Sequence, residues 1–328
     1  MTQRDDDVNW RHLTGLAHAI EDVPIRSLKI STLYRVLSFA RRNKIDIVHS
    51  HGRGAGLYGR LAALILGIGT VHTYRGFHNR FRGLKKHLFL CQERVFAYFT
   101  DRAIAVSQSE KDKILASRAM PADKLEVVFN PIEVSKDGEN CASELSQGRF
   151  NVVTLSRISP QKDIMTLIKV ARLLGDGFAI HVYGGINSSD QGYAQAVNDE
   201  ISKEPVENLV LHGDVPGAAS LLGQYDAYVS TALWEGLPTA VIEAFLSGVP
   251  VVATDCTGNC DVVISESTGL LYPPGDADAI AAGIRRLSED QELHRRLSYE
   301  ALSFARKEFD VGKLVERMDD IYLDVAKR

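Results

Sequence analysis

The stretch from Trp234 to Ala244, with the sequence WEGLPTAVIEA, constrains the fold of this chain more than any other. The apolar segment Tyr225 to Val229 precedes it and predicts a buried parallel strand, and Pro238 suits the first turn of a helix. Glu235 is therefore predicted in a strand-to-helix loop, and Glu243 inside the helix. Because ligands of open parallel sheets bind beyond the carboxyl ends of the strands, both carboxylates are predicted where a small molecule binds.

The residues around the two acids decide how they are interpreted. Taken alone, a loop acid and a helix-surface acid are usually solvated side chains without a role. Here they are spaced Glu-x7-Glu with Gly-x-Pro between them, and SGVPVVAT (Ser247 to Thr254) follows. This pattern resembles the signature of the retaining glycosyltransferases of family 4, the glycosyl transferases group 1 type. The resemblance implies an α/β GT-B fold, in which two Rossmann-like, doubly wound domains face each other across a cleft.

The resemblance implies a nucleotide-sugar site around these acids. By it, Glu235 lies near the donor sugar hydroxyls and takes part in catalysis, and Glu243 binds the nucleotide ribose. A carboxylate can accept paired hydrogen bonds from a vicinal diol, and N–H groups at a helix start can bind phosphate oxygens. The donor-binding residues between the two acids are Gly236, Leu237, Pro238 and Thr239.

A departing diphosphate needs positive charge nearby, and two cations follow the first predicted strand of the second half of the chain. The segment SRISPQKD resembles the family's Gly-Arg-Leu-x-x-x-Lys-Gly segment, which assigns Arg157 and Lys162 to the diphosphate. Ser156 and Asp163 stand where glycines are usual. Without the resemblance, one Arg and one Lys in a loop would be interpreted as solvated charges.

Two smaller patterns complete the predicted donor site. Gly184 and Gly185 follow the next predicted strand and resemble the family's Gly-x-Gly turn, where the nucleotide stacks. No metal is expected, because the two cations replace it. The Asp-x-Asp pattern of Asp276 and Asp278 is predicted to be an N-terminal helix cap instead of a metal site.

The first half of the chain carries residues that resemble the family's acceptor side. His49-Ser50-His51 ends a predicted strand and resembles a His-x-His ending in that family. Strand alternation places both histidines on one face, which leaves metal binding as an alternative, although no third ligand is evident. His51 and Arg75 are the predicted acceptor-side residues. Because Arg cannot accept a proton at neutral pH, Arg75 is predicted to contact a phosphate of the donor or of a lipid-phosphate acceptor.

Cations and apolar residues are interleaved after Arg75, around a helix predicted from about Leu84 to Phe99. This pattern fits a helix lying on an anionic membrane surface, with Glu93 as the only acid that offsets the cations. The alternative is a helix that packs on its own sheet with a solvated basic face, and the sequence favours neither. The membrane contact is predicted through Arg80, Arg82, Lys85 and Lys86.

The 328 residues allow two domains, since single cores stop growing near ~250 to 300 residues. An N-terminal acceptor-side domain is predicted at 1–134, a polar linker at 135–148, a nucleotide-sugar-binding domain at 149–308 and a closing helix at 309–328. Packing of that helix on the first domain is one option. Family members usually begin with a strand and a Gly-Gly turn that are missing here, so the first domain is predicted to be truncated. A partner is expected to cover its incomplete sheet.

Composition narrows the class of protein. A net charge of -4 gives no basic field for nucleic acid. Four cysteines form no disulfide framework for a chain of this length, which favours a reducing compartment such as the cytoplasm. The polar N-terminus lacks the pattern of a secretory signal, and no apolar stretch approaches the ~20 residues that cross a bilayer. Any membrane contact is therefore predicted to be peripheral, on the inner face.

The resemblance implies retaining transfer of a sugar from a UDP- or GDP-linked donor to a glycan or lipid-linked acceptor. Surface polysaccharide or lipopolysaccharide synthesis is the expected setting, without a cofactor and without a side-chain base. Two alternatives stay open: a nucleotide-sugar epimerase or hydrolase of the same fold, and a non-catalytic or partner-dependent nucleotide-binding remnant. An NAD enzyme would rest only on Gly52-x-Gly54-x-Gly56, which is not the full dinucleotide-binding motif.

Overall fold

A computed structural model describes residues 18–19, 21–25, 29–77, 83–130, 132 and 145–327. The chain forms two compact units. Unit 1 contains Met1–Phe129 and Leu314–Arg328, and unit 2 contains Asn130–Lys313. Each unit has a sheet of parallel strands, which is the predicted α/β class.

The described part of unit 1 has a four-stranded parallel sheet in the order β1-β2-β3-β4. Its strands and helices alternate along the chain, as the sequence predicts. They are α1 (Ile30–Arg42), β1 (Ile47–His51), α2 (Gly52–Leu66), β2 (Gly69–Thr73), α3 (Leu84–Phe99), β3 (Arg102–Ala105), α4 (Gln108–Ala116) and β4 (Leu125–Val127).

The sequence predicts a glycine-rich turn after β1. In the structure this segment is itself the first turn of helix α2. The helix begins at Gly52, directly after the strand. It packs closely on the sheet at Gly56, where an added Cβ would lie 2.5 Å from Cε1 of the buried His72. Gly56 therefore serves close helix–sheet packing, which a Gly-x-Gly pattern does not distinguish from a phosphate-binding turn.

A buried ion pair joins helices α2 and α3 inside unit 1. Arg60 and Glu93 form a bidentate pair with N–O distances of 2.9 and 3.0 Å, and their side chains are 1% and 3% exposed. The Tyr74 hydroxyl donates a further hydrogen bond to Glu93 at 3.1 Å, and the Arg60 guanidinium lies 4.3 Å from the centre of the Phe96 ring. Glu93 therefore neutralises an internal cation, and the expectation that it offsets the basic surface of α3 is wrong.

Unit 2 has a six-stranded sheet in the order β10-β9-β8-β5-β6-β7. Its strands are β5 (Phe150–Leu155), β6 (Phe178–Tyr183), β7 (Leu209–Gly213), β8 (Ala227–Ser230), β9 (Val251–Thr254) and β10 (Leu270–Tyr272). Its α-helices are α5 (Ile164–Leu174), α6 (Gln191–Lys203), α7 (Thr239–Leu246), α8 (Asn259–Val262), α9 (Ala277–Glu289) and α10 (Gln291–Glu308). The chain order reverses between β5 and β8, which are neighbours in the sheet. Such a switch point is where doubly wound sheets bind ligands.

Two helices of unit 2 differ in how well the sequence predicts them. Helix α9 starts at the predicted cap, because the Asp276 carboxylate accepts a hydrogen bond from the Ala279 N–H at 3.0 Å. Helix α10 is missing from the predicted elements. It buries an apolar stripe at a spacing of four residues among many charges, and the stripe consists of Leu293, Leu297, Ala301 and Ala305.

The closing helix α11 (Val311–Ala326) packs on the sheet of unit 1. Ile321 and Val325 are each 3% exposed and belong to the same cluster as Val71 of β2 and Ile104 of β3. Val315, which the sequence places on the same apolar face, remains 51% exposed. Among the helices that the structure describes, none combines the length and the hydrophobicity that crossing a bilayer requires.

Candidate functional site

The predicted catalytic residues of unit 2 follow two strands that are neighbours in the sheet. Arg157 and Lys162 follow β5, and Glu235 follows β8. These strands run parallel, with Val152 opposite Ala227 and Val153 opposite Tyr228. Their carboxyl ends therefore lie at one edge, and the loops that leave them share the switch point of the sheet.

Lys162 and Glu235 form an ion pair at this edge, with 2.5 Å between Nζ and Oε1. The Glu235 side chain is only 9% exposed, so the pair is shielded from water and weakly screened. Gln161 fixes the other carboxylate oxygen by donating from Nε2 to Oε2 at 3.2 Å and to the Trp234 carbonyl at 2.9 Å. No local pattern predicts this role of Gln161, because its partners lie more than seventy residues away along the chain.

Backbone hydrogen bonds hold the two loops together beneath that pair. The Leu233 N–H donates to the Gln161 carbonyl at 2.8 Å, and the Thr231 hydroxyl donates to the Lys162 carbonyl at 2.8 Å. The position of Lys162 relative to Glu235 therefore depends on both loops.

The structure gives a reason for Asp163, which stands where the family usually has glycine. Asp163 adopts a left-handed conformation with φ of 48°, which Asp tolerates better than most residues with a side chain. Its carboxylate also caps α5, since the Thr166 hydroxyl donates to it at 2.6 Å and the Thr166 N–H at 3.3 Å. The side chain replaces the missing glycine with a stabilising cap.

Arg157 is exposed at the end of β5, beside the predicted glycine turn. Within the described residues, its side chain has neither a hydrogen bond nor an ion pair. Gly184 contacts the same loop so closely that an added Cβ would lie 2.3 Å from the Ser156 carbonyl oxygen. The Ile158 N–H donates to the Gly185 carbonyl at 3.1 Å, so the turn and the Arg157 loop are held side by side.

Glu243 lies on α7, half-buried, and burial raises the pKa of its carboxyl group. Across the described residues, the carboxylate lacks a hydrogen-bond donor and a cation. Both acids act on the buried Tyr228 of β8. Burial raises the Tyr228 pKa, a hydrogen bond with Thr154 lowers it, and the charges of Glu235 and Glu243 raise it further. The structure therefore brings the two acids near one buried ring. A ligand hydroxyl could satisfy the desolvated Glu243 carboxylate.

The residues between the two acids form the start of α7. Pro238 occupies the position just before the helix, one residue earlier than predicted, and Thr239 is its first residue. The helix start has no side-chain cap, and the Thr239 and Val241 N–H groups donate to the Leu237 and Pro238 carbonyls, each at 3.0 Å. Gly236 and Leu237 lead into this start and, with Pro238 and Thr239, connect the two acids.

Gly258 supports Glu235 from the neighbouring loop. Its φ of +87° favours glycine, and an added Cβ would lie 2.7 Å from the Glu235 Cβ and 2.9 Å from the Gly236 carbonyl oxygen. The Glu235 N–H donates to the Thr257 carbonyl at 2.8 Å. The loop after β9 thus packs directly against the Glu235 loop.

In unit 1, the predicted acceptor-side residues lie together. The rings of His49 and His51 are 4.1 Å apart, and His49 is hydrogen-bonded to the Tyr322 and Thr73 hydroxyls, each at 2.7 Å. Burial and then the charge of Arg75 lower the His51 pKa to about 4, so His51 is neutral at pH 7. No cluster of three His, Cys, Asp or Glu side chains suited to a metal occurs among the residues that the structure describes.

The predicted membrane-contact residues are described only in part. Arg80 and Arg82 lie outside the described residues, whereas Lys85 and Lys86 are exposed in the first turn of α3.

Comparison with known proteins identifies the family. The glycosyl transferases group 1 model matches residues 139–304, half of the chain, and the Glycosyltransferase Family 4 model matches residues 6–136. A galactosyltransferase of Escherichia coli, UDP-Gal:alpha-D-GlcNAc-diphosphoundecaprenol alpha-1,3-galactosyltransferase, is 26% identical, over 92% of this chain and 81% of its own. The capsular polysaccharide biosynthesis glycosyltransferase CapM of Staphylococcus aureus is also 26% identical, over 94% of this chain and 84% of its own.

A solved structure supports the fold. The crystal structure of Anabaena HepE in complex with UDP and glucose has a TM-score of 0.84 at 20% identity, covering 98% of this chain and 91% of HepE. At this identity the likeness shows the fold, which is GT-B as predicted. Together with the family match, it establishes that this chain belongs to the glycosyl transferases group 1 family.

Proposed function

We propose that this protein is a retaining glycosyltransferase that moves a sugar from a UDP-linked donor to a glycan or lipid-linked acceptor in surface-polysaccharide synthesis. The observation that carries the proposal is the shielded Lys162–Glu235 pair at the switch point of unit 2, with the exposed Arg157 on the same loop as Lys162. UDP is the preferred nucleotide because HepE was solved with UDP and the E. coli relative is named for UDP-Gal.

The geometry suits a reaction without a side-chain nucleophile. The bond between the anomeric carbon and the diphosphate oxygen breaks, and the acceptor oxygen bonds to the same face of that carbon. The proton of the acceptor hydroxyl passes to the departing phosphate. Arg157 and Lys162 stabilise the charge that grows on the diphosphate, while Glu235 positions Lys162 and accepts hydrogen bonds from sugar hydroxyls. This scheme requires no metal, because two cations supply the positive charge.

The proposal extends to the acceptor and to its location. Arg75, beside the neutral His51, supplies a permanent cation suited to the phosphate of a lipid-linked acceptor. An acceptor carried on a lipid would require the enzyme to work at a membrane surface, and we place it on the cytoplasmic side. The E. coli relative, whose name includes a diphosphoundecaprenol acceptor, supports this choice.

Nucleotide binding tests the proposal most directly. In calorimetry with EDTA present, UDP is expected to bind more tightly than GDP or ADP, and Glu243→Ala should weaken UDP binding about 10- to 100-fold. This range corresponds to the loss of one or two charged hydrogen bonds to ribose. Glu300→Ala, which removes an exposed acid of α10, should leave binding unchanged.

Equal UDP affinity in the two variants would contradict the ribose role of Glu243. A transfer assay follows with UDP-galactose, UDP-glucose and a lipid diphosphate bearing one sugar. Release of UDP together with free sugar, at the same rate with and without acceptor, would identify a hydrolase and overturn transfer.

Gly258→Ala should damage the site without unfolding the protein. The new Cβ would push the Glu235 loop by a fraction of an ångström to an ångström, and such a displacement can lower kcat about 100-fold. Gly275→Ala is the matched control, since Gly275 has a φ of +83° but nothing within 4 Å of the added Cβ. Both variants should lose stability in urea unfolding because both glycines have positive φ, and Gly258→Ala should lose more, because only its Cβ clashes with the Glu235 loop. If both retain the same transfer rate, Gly258 does not position Glu235.

A further inference from the structure

Helix α3 of unit 1 has two apolar faces, and only one of them is buried. The buried face consists of Leu90, Glu93, Phe96 and Ala97, in which Glu93 is neutralised by Arg60. A helix that only covers its own sheet should be polar on the opposite side. The observed opposite side is apolar, which a sheet-packing helix with a solvated basic face does not explain.

The outer face is a stripe at alternating spacings of four and three residues. Four of its members are strongly exposed: Leu84 (74%), Leu88 (62%), Val95 (55%) and Tyr98 (82%). The exposed Cys91 lies between them. At about 100° per residue, these five positions fall within roughly 80° of the helix circumference, centred opposite the buried face. We call these five residues the α3 stripe.

Lys85 and Arg94 border the α3 stripe, about 100° and 80° from its centre, whereas Lys86 lies about 160° from it, on the side of the buried face. Lys85 and Lys86 in the first turn and Arg94 near the middle are exposed. Glu93 is the only acid on the helix, and it is buried and paired. The exposed charge of α3 is therefore entirely positive, in a chain whose net charge is -4.

A groove of about 680 Å³ adjoins the end of the stripe. Tyr98 and Arg94 form one wall, and Arg118 and Lys124 contribute to the other side. The Lys124 ammonium donates to the Ala97 and Thr100 carbonyls at 3.0 and 2.8 Å and thereby ties this wall to α3. The apolar stripe thus continues into a largely apolar groove, in which the Arg94 guanidinium donates to the Ser117 and Arg118 carbonyls at 3.0 and 3.3 Å.

We infer that the α3 stripe and its bordering cations bind the surface of a membrane that contains anionic lipid. Exposed apolar residues flanked only by cations are the pattern of an interfacial helix. A second copy of this chain fits less well, because a symmetric pair would bring these cations together without an exposed acid on α3 to neutralise them. The inference rests on the proposed function in one respect, since a lipid-linked acceptor would be presented at that surface.

Vesicle flotation tests this inference with the full-length protein. Wild type should float with vesicles of phosphatidylcholine and phosphatidylglycerol, and much less with phosphatidylcholine alone. Lys85→Gln/Lys86→Gln should weaken binding about 25-fold, because each cation near an anionic surface contributes about fivefold. Leu88→Ser/Tyr98→Ser should weaken it at least about tenfold through lost apolar insertion. Tyr299→Ser, which alters a 70% exposed tyrosine of α10, should bind like wild type.

UDP calorimetry on the same variants separates this inference from the proposed function. All of them should bind UDP like wild type, which also shows that they are folded. Equal flotation with both lipid mixtures, or unchanged flotation of the stripe variant, would overturn the inference while leaving the donor site intact. So would a wild-type dimer in light scattering without lipid that the stripe variant converts to a monomer, because the stripe would then bind a second copy.

Discussion

Replacing Lys162 by Met is expected to lower kcat for sugar transfer about 100- to 1000-fold, the usual effect of removing one charge-stabilising donor from an active site. Lys162 is held 2.5 Å from Glu235, so its charge is fixed in place before the diphosphate begins to depart. The loss should fall mainly on kcat, because the negative charge that Lys162 stabilises grows in the transition state. Initial rates at varied donor concentration measure kcat and KM separately.

Lys169→Met is the matched control, since Lys169 is an exposed lysine of α5 in the same unit. It should transfer sugar like wild type. In Lys162→Met, the shielded Glu235 carboxylate has lost its cation. The double variant Lys162→Met/Glu235→Gln also removes that carboxylate charge. It should regain any lost stability without regaining the rate. A Lys162→Met enzyme with a normal kcat would refute the assigned role of this lysine in departure of the diphosphate.

Replacing Arg60 by Met is expected to destabilise unit 1 by about 3–5 kcal/mol, because it leaves the buried Glu93 carboxylate without its cation. The Tyr74 hydroxyl remains as a donor to Glu93. One hydrogen bond from a neutral hydroxyl does not replace a bidentate pair with a cation. A loss of this size should lower the Tm of unit 1 by about 10 °C or more, and calorimetric melting of the full chain measures it.

The double variant Arg60→Met/Glu93→Leu distinguishes burial of an unpaired charge from loss of packing. It should recover most of the lost stability, since apolar residues of similar volume can replace a buried ion pair. Arg41→Met, at an exposed arginine of α1, should change Tm little. If the double variant melts as low as Arg60→Met alone, the loss comes from packing around Phe96 and not from the charge.

The proximity of Lys162 and Glu235 was predictable because both residues are close to strand ends. Hydrophobic runs identify the strands that precede Arg157, Lys162 and Glu235. Parallel pairing of these strands brings their carboxyl ends together. Gln161 and the contact at Gly258 were not predictable in the same way. Their roles depend on contacts between loops that are far apart in sequence, which no local pattern encodes.

The fold shows the same division between local and tertiary information. Helix α3 begins and ends at the predicted residues, because its amphipathic pattern is visible in the local sequence. The buried Arg60–Glu93 pair was invisible, since each residue alone resembles a surface charge. The same local pattern identified α3 as amphipathic but could not reveal that its second apolar face stays exposed, which only the packing of unit 1 decides.

Because the closing helix α11 belongs to unit 1, the two units are completed in an unusual order during synthesis. Ribosomes release the N-terminal residues first, and domains commonly fold as they emerge. The strands carrying Val71 and Ile104 are made early, but Ile321 and Val325, which cover them, are translated only after the whole of unit 2. Unit 2 is continuous in the chain and is completed before them. Unit 1 leaves the ribosome first but is completed last, and this face of its sheet stays uncovered until α11 has been made.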